Sequence, residues 1–265
     1  MIRVFVEGIG IAGPGLDGWS ASRATLAGLA PYEPAPFVPP PVVLLPPAER
    51  RRAGTAIRLA IGAGLEALIQ AGRDPAGMAM VFASSNGDSD TVHEILCVLA
   101  TDRREVSPTR FHNSVHNAPA GYWAVATGSR EPSTSLCAFD DGFSAGLLDA
   151  AVQATVDNRP VTLTAYDLPY PEPLHGVRPI EALFAAALVL TPEPTNRTII
   201  ALSIAPGRSG GTATAMTDSR LERLRLGNPA ARGLPLLAAI ARGAPDTVHL
   251  TASFGTGAEI AVEPC

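Results

Sequence analysis

The segment Pro132-Ser133-Thr134-Ser135-Leu136-Cys137-Ala138-Phe139-Asp140-Asp141-Gly142-Phe143 leads from a strand into a sharp turn and straight on into an apolar helical pattern over 142–156. A strand that passes directly into a helix is the geometry of a nucleophile elbow, where the helix amino terminus favours a developing anion. Asp140 falls at the turn. Adjacent aspartates at a helix start also have an ordinary role as caps favoured by the dipole.

Working outward, strand-like stretches alternate with helical ones. Strands are expected over 3–11, 78–84, 161–165, 183–190, 198–204 and 247–252, with a further strand ending over 136–139, and helices over 55–71, 91–100, 118–128 and 142–156. The helix over 55–71 repeats apolar residues at Ile57, Ile61, Leu65 and Leu68 and stops at Gly72. The eight prolines in 30–47 read as an extended surface connector, and 168–179 as a proline-interrupted loop. Such alternation predicts an α/β layered fold around a largely buried sheet. Gly8-Ile9-Gly10 invites a dinucleotide-loop reading, but Gly13 is followed at once by Pro14 and Gly15, so no third glycine opens a helix.

All twenty basic residues are arginine, against twenty-five acidic ones, for a formal net charge of −5. A chain without lysine has no P-loop lysine, Schiff-base lysine or lysine general base. The basic run is no longer than Arg50, Arg51 and Arg52, so a nucleic-acid groove is not expected. Charged residues are only 17% of the chain, below the usual level, which predicts that part of the surface is an interface. There is no secretory pattern at the amino terminus and no apolar run of membrane-spanning length, so the expected location is cytoplasmic. The three cysteines, Cys97, Cys137 and Cys265, describe neither a disulfide framework nor a zinc pattern.

A second polar stretch, Phe111-His112-Asn113-Ser114-Val115-His116-Asn117, places two histidines four residues apart. On a helix they would share a face, but no glutamate lies between them and Ser107-Pro108 reads as a loop, so no metal site is expected. The open alternatives are a buried turn satisfied by imidazoles and amides, or the lining of a small-molecule tunnel.

Four separated blocks resemble, in order and spacing, the β-ketoacyl synthases of the thiolase fold. They are Arg3-Val4-Phe5-Val6-Glu7-Gly8-Ile9-Gly10 with Gly13-Pro14-Gly15 and Trp19, then Val81-Phe82-Ala83-Ser84-Ser85-Asn86-Gly87. His116-Asn117-Ala118-Pro119-Ala120-Gly121 with Gly128 and Pro132-Ser133 is the third, and Ser253-Phe254-Gly255-Thr256-Gly257-Ala258-Glu259 the fourth. The resemblance implies a thiolase-like layered α/β fold truncated in its second half. It divides the chain into a ketosynthase-like half, 1–190, and a reduced carboxy-terminal half, 191–265, that completes the sheet.

In the family the nucleophilic cysteine lies seven residues after the serine of Gly-Pro-Ser, which here is Asp140; Cys137 comes four residues after Ser133, inside the strand. The His-Gly-Thr-Gly-Thr block is missing, since His175-Gly176 continues as Val177-Arg178, and the later histidine block and lysine have no counterpart between Arg197 and His249. The resemblance therefore implies no catalytic residue and no cofactor. It points to a chain length factor, closest to those of aryl polyene-type type II systems, which heterodimerises with an active ketosynthase and meets acyl carrier protein through the complex. His112, His116, Asn117, Phe139 and Phe143 would border the tunnel or the interface, the two phenylalanines limiting chain length by volume. The alternative is a catalytically active small β-ketoacyl synthase or acyltransferase using Cys137. A third reading is a free-standing carrier-protein or lipid binding module using Arg50 to Arg52, against which stands an ordinary solvated helix start.

Overall fold

The computed structural model describes residues 1–207, 212–250 and 257–265. β1 (Ile2–Gly13) and β2 (Leu16–Asp17) open the chain, followed by α1 (Trp19–Leu26), α2 (Pro47–Arg52) and α3 (Thr55–Ala71). β3 (Ala79–Ala83) precedes α4 (Ser89–Leu99), α5 (Pro108–Asn113) and α6 (Ala118–Thr127). β4 (Ser133–Leu136) runs through one 3₁₀ turn, Phe139–Asp141, into α7 (Gly142–Val156). β5 (Val161–Asp167), α8 (Leu174–Val177), β6 (Phe184–Thr191) and β7 (Ile200–Pro206) follow. α9 (Ser219–Gly227), α10 (Leu234–Arg242), β8 (Asp246–Leu250) and β9 (Ala258–Glu263) complete the chain.

These strands form one mixed sheet in the order β4-β3-β5-β6-β1-β7-β9-β8, with β2 folded back on β1. β3 pairs in parallel with β4 and β5, and the other pairings are antiparallel. One core lies between the sheet and α3 and α6, and the other between the sheet and α1, α7, α9 and α10. The expected layered α/β architecture is what forms.

β1 shows how local sequence sets these layers. Val4 and Val6 point into the same core as Ile9 and Ile11, although the two pairs differ in parity along the strand. A bulge between Val6 and Gly8 shifts the phase by one residue and keeps both on that face. Gly8 and Gly10 then face α3, whose backbone crosses so closely that a Cβ on either glycine would lie 2.0 Å from a carbonyl oxygen of Ala67 or Ala63. The glycine pair serves helix-on-strand packing. β7 accompanies β1 only as far as Val6; beyond it the amides of Ile9 and Ile11 donate to the side chains of Gln70 and Glu66 on α3.

Some expected elements are displaced. The strand expected to end over 136–139 ends at Leu136, the last residue with a parallel partner on β3, so Cys137 falls just outside it, and 139–141 turns. The helix expected from 91 begins at Ser89, because the Asp88 carboxylate accepts the Thr91 amide. Pro108 starts α5 rather than a loop, and 168–179 contains α8. The strand expected over 247–252 is described to Leu250, and Thr251 and Ala252 lie outside the described residues. α1, α9, α10 and β9 had no sequence expectation. Among the described residues, no helix is long and apolar enough to cross a membrane.

Candidate functional site

The parallel strands β4, β3 and β5 end together, and the turn after β4 presents the candidate residues. Phe139 adopts a φ of 51°, a left-handed backbone that an aromatic side chain rarely takes. Its ring carries the guanidinium of Arg178 at 3.5 Å from the centroid. The next residue, Asp140, is paired through Oδ1 with Nη2 of Arg178 at 2.8 Å and through Oδ2 with Nη2 of Arg232 at 3.3 Å. The carboxylate at the turn thus holds two cations.

Behind it lies a cavity of about 10 Å³, lined among others by Asp140, Phe143, Ser144, Arg225, Arg232 and His249. That is room for roughly one water molecule. Phe143 is 1% exposed. Ser144 Oγ donates to the Asp141 carbonyl at 3.0 Å. Arg225, itself buried, donates through Nε and Nη2 to Glu222 at 2.7 and 2.6 Å. Arg225's hydrogen bonds lower the Glu222 pKa, as a guanidinium favours the ionised carboxylate.

A second cluster sits at the end of β3. Oδ1 of buried Asp167 accepts Ser84 Oγ at 3.1 Å, Ser85 N at 2.8 Å and Ser85 Oγ at 2.7 Å. Burial pushes the Asp167 carboxyl up to about 6, against the lowering effect of these hydrogen bonds. Cys137, exposed just after β4, donates its thiol to the Ser85 carbonyl at 3.0 Å. His116 Nε2 lies 3.1 Å from the Ser84 carbonyl.

The structure therefore brings His116 and Cys137 to neighbouring carbonyls at the end of β3, and His112 to Tyr122 instead. The two histidines do not share a helix: His112 is on α5, edge-on to Tyr122 at 5.9 Å, and His116 lies in the turn before α6. Tyr122 in turn donates to Asn113. Asn117 is exposed at the start of α6. Phe139 is 47% exposed, whereas Phe143 lies inside the core. Arg178, Arg225, Arg232 and His249 were not among the expected site residues. Arg178 was visible in sequence only as the residue that breaks the histidine block, and no local signal marks the other three. Of the fourth block, Ser253-Phe254-Gly255-Thr256 lies outside the described residues. No group of three His, Cys, Asp or Glu side chains among the described residues could hold a metal ion.

Residues 19–249 match the family model "Beta-ketoacyl synthase, N-terminal domain". No curated protein sequence matches the chain. Among solved structures, the chain is similar to one described as a ketosynthase (ApeO) in complex with its chain length factor (ApeC) from Xenorhabdus doucetiae. That match has a TM-score of 0.73 at 22% identity and covers 98% of this chain and 100% of the other. It is also similar to the ishigamide ketosynthase/chain length factor, with a TM-score of 0.71 at 13% identity over 99% of both chains. A third likeness is to a β-ketoacyl synthase from Burkholderia phymatum STM815, with a TM-score of 0.58 at 16% identity over 87% of this chain and 71% of that one. These likenesses show the thiolase-like ketosynthase fold, and with the family model spanning most of its length the chain belongs to the β-ketoacyl synthase family.

Proposed function

We propose that this chain is a non-catalytic, chain-length-factor-type subunit that pairs with an active β-ketoacyl-ACP synthase and shapes the acyl tunnel of a type II polyketide or aryl polyene system. The observation that carries this reading is Asp140: a carboxylate, bound by two guanidinium groups, at the strand-to-helix turn where a condensing enzyme needs a thiolate. A carboxylate there forms no acyl thioester. On this reading residues 1–190 are the ketosynthase-like half, 191–265 the reduced half, and the complex works in the cytoplasm.

A partner is supported by exposed apolar side chains on α4, α5 and α6, the last of which packs on the edge strand β4. Leu96 and Leu99 on α4, Phe111 on α5, Val115 before α6 and Val125 on α6 are exposed, with Phe111 at 66%. Burying such a patch stabilises an assembly by about 25 cal/mol per Å². His112, Asn117 and Phe139 are exposed as well, which supports their assignment to the tunnel or interface. A homologous ketosynthase supplies a like surface and the missing thiol, and carrier protein is met through the complex. The ketosynthase and acyl carrier protein named with similar structures support this choice of partners.

The test is to mix the purified chain with a full ketosynthase from the same gene neighbourhood and measure mass by size exclusion with light scattering. A one-to-one complex is expected, and separate species would refute the assignment. The reading in which Cys137 is the nucleophile lacks support in the geometry: its thiol donates to a carbonyl, and the ring of His116 faces the neighbouring carbonyl. Arg50 to Arg52 are also poor candidates for a carrier-protein patch, since Arg50 donates to the carbonyls of Val43 and Leu45 and Arg52 pairs with Glu49.

A further inference from the structure

Asp140, Arg178 and Arg232 come from three separate segments: the turn before α7, the stretch between α8 and β6, and the 3₁₀ turn Ala230–Gly233 that leads into α10. Along the chain the two arginines lie 38 and 92 residues from the aspartate. None of the three side chains is more than 30% exposed, so the pairs are partly shielded from water and gain more than rim pairs do. Arg178 is held a second time, over the ring of Phe139. Arg232 is followed by Gly233, against which Phe143 packs. Beside the pairs lies a cavity of about 10 Å³ bordered by Asp140, Phe143 and Arg232, room for roughly one water molecule.

From this arrangement we infer that Asp140, Arg178 and Arg232 form an ionic clamp that holds the three segments closed over the turn and keeps an acyl thioester out of this chain's own pocket. The purpose assigned to the clamp rests on the proposed non-catalytic function; its geometry does not. The carboxylate is a working part: without it two guanidinium groups face the same point with no anion between them, and mutual repulsion opens the turn. Each arginine ties its own segment to Asp140, so loss of the aspartate frees both segments, and loss of one arginine frees its segment and loosens the turn.

Hydrogen–deuterium exchange with mass spectrometry on the full chain, alone and with the ketosynthase, tests this. In Asp140→Asn, peptides covering 138–143, 174–180 and 229–234 are expected to exchange together about tenfold faster, and in Arg178→Met or Arg232→Met the turn 138–143 and the substituted segment, with α3 unchanged throughout. Asp140→Glu should retain much of the protection. Acceleration confined to the substituted segment, or none, would overturn the clamp. So would uniform fast exchange that includes α3 in all three variants, which would make these residues supports of the whole fold. Dodecanoyl-pantetheine should leave exchange of the wild-type turn unchanged, and protection of 138–143 by this probe would overturn the exclusion of acyl chains. Exchange is read on this chain's own peptides, so failure to bind a ketosynthase would defeat the proposed function and leave the test of the clamp intact.

Discussion

The ring of Phe143 lies directly against Gly233: a Cβ built on the glycine would fall 2.4 Å from two of the ring carbons. Gly233 has a φ of −77°, so the backbone does not demand glycine and the requirement is purely steric. Gly233→Ala should cost about 1–3 kcal/mol by overpacking. In a Phe143→Leu background that cost should shrink, as read by urea denaturation of the four proteins in the cycle. Equal costs in both backgrounds would mean that the contact does not limit this site.

Phe143→Ala empties a buried position and should destabilise the chain by about 3–5 kcal/mol. If the ring is a wall of the acyl tunnel, the same variant in a reconstituted complex should shift products toward longer chains. An unchanged product distribution, with complex formation intact, would remove Phe143 from that role.

Gly10→Ala should be severe, at or beyond the upper end of the roughly 1–3 kcal/mol typical of overpacking, because the colliding atom is the backbone oxygen of Ala63 and not a mobile side chain. Circular dichroism melts of the variant should show a large loss of stability. A folded, fully stable variant would mean that α3 can move away from β1.

Asp167 makes stability depend on pH in a defined sense. Its folded value of about 6 lies above the ordinary 3.8, so the folded chain binds the proton more tightly than the unfolded one does. Its contribution is therefore full below about pH 4 and falls away as pH rises through 6, an effect on the order of 3 kcal/mol. Asp167→Asn should remove this component. Urea midpoints of the two proteins, followed from pH 4 to 7.5, should diverge as pH rises, the wild type losing ground to the variant; parallel curves would contradict the shift.

Cys97, Cys137 and Cys265 are all exposed. Iodoacetamide should modify Cys137 in the isolated chain at a rate comparable to the other two, and the assembled complex should shield Cys137 while leaving Cys265 open. Selective labelling of Cys137 that persists in the complex would revive the catalytic alternative.

Much of the fold was legible because its signals are short-range. The apolar spacing from Ile57 to Leu68 and the stop at Gly72 marked α3 with its correct ends, and the run into Gly142 marked the turn and α7. α9 was missed because its nine residues, Ser219–Gly227, carry four charges between few apolar positions, and burial of Leu221 and Leu224 decides its place. The edge of β4 was misplaced by three residues because strand limits follow the partner, here Met80–Ala83, and not the propensity of 136–139.

The sequence by itself determined the α/β layering, the family and the carboxylate at the turn, since each is written in short local stretches or in their order along the chain. Only the tertiary structure decided what that carboxylate does, because Arg178 and Arg232 reach it from segments that no periodicity links to it. It also decided the meaning of Gly8 and Gly10: the same two glycines that suggest a phosphate loop in sequence are required by the approach of an α3 backbone that lies more than fifty residues away. A side chain's chemistry is local, but the charge it meets and the space left to it depend on where the rest of the chain returns.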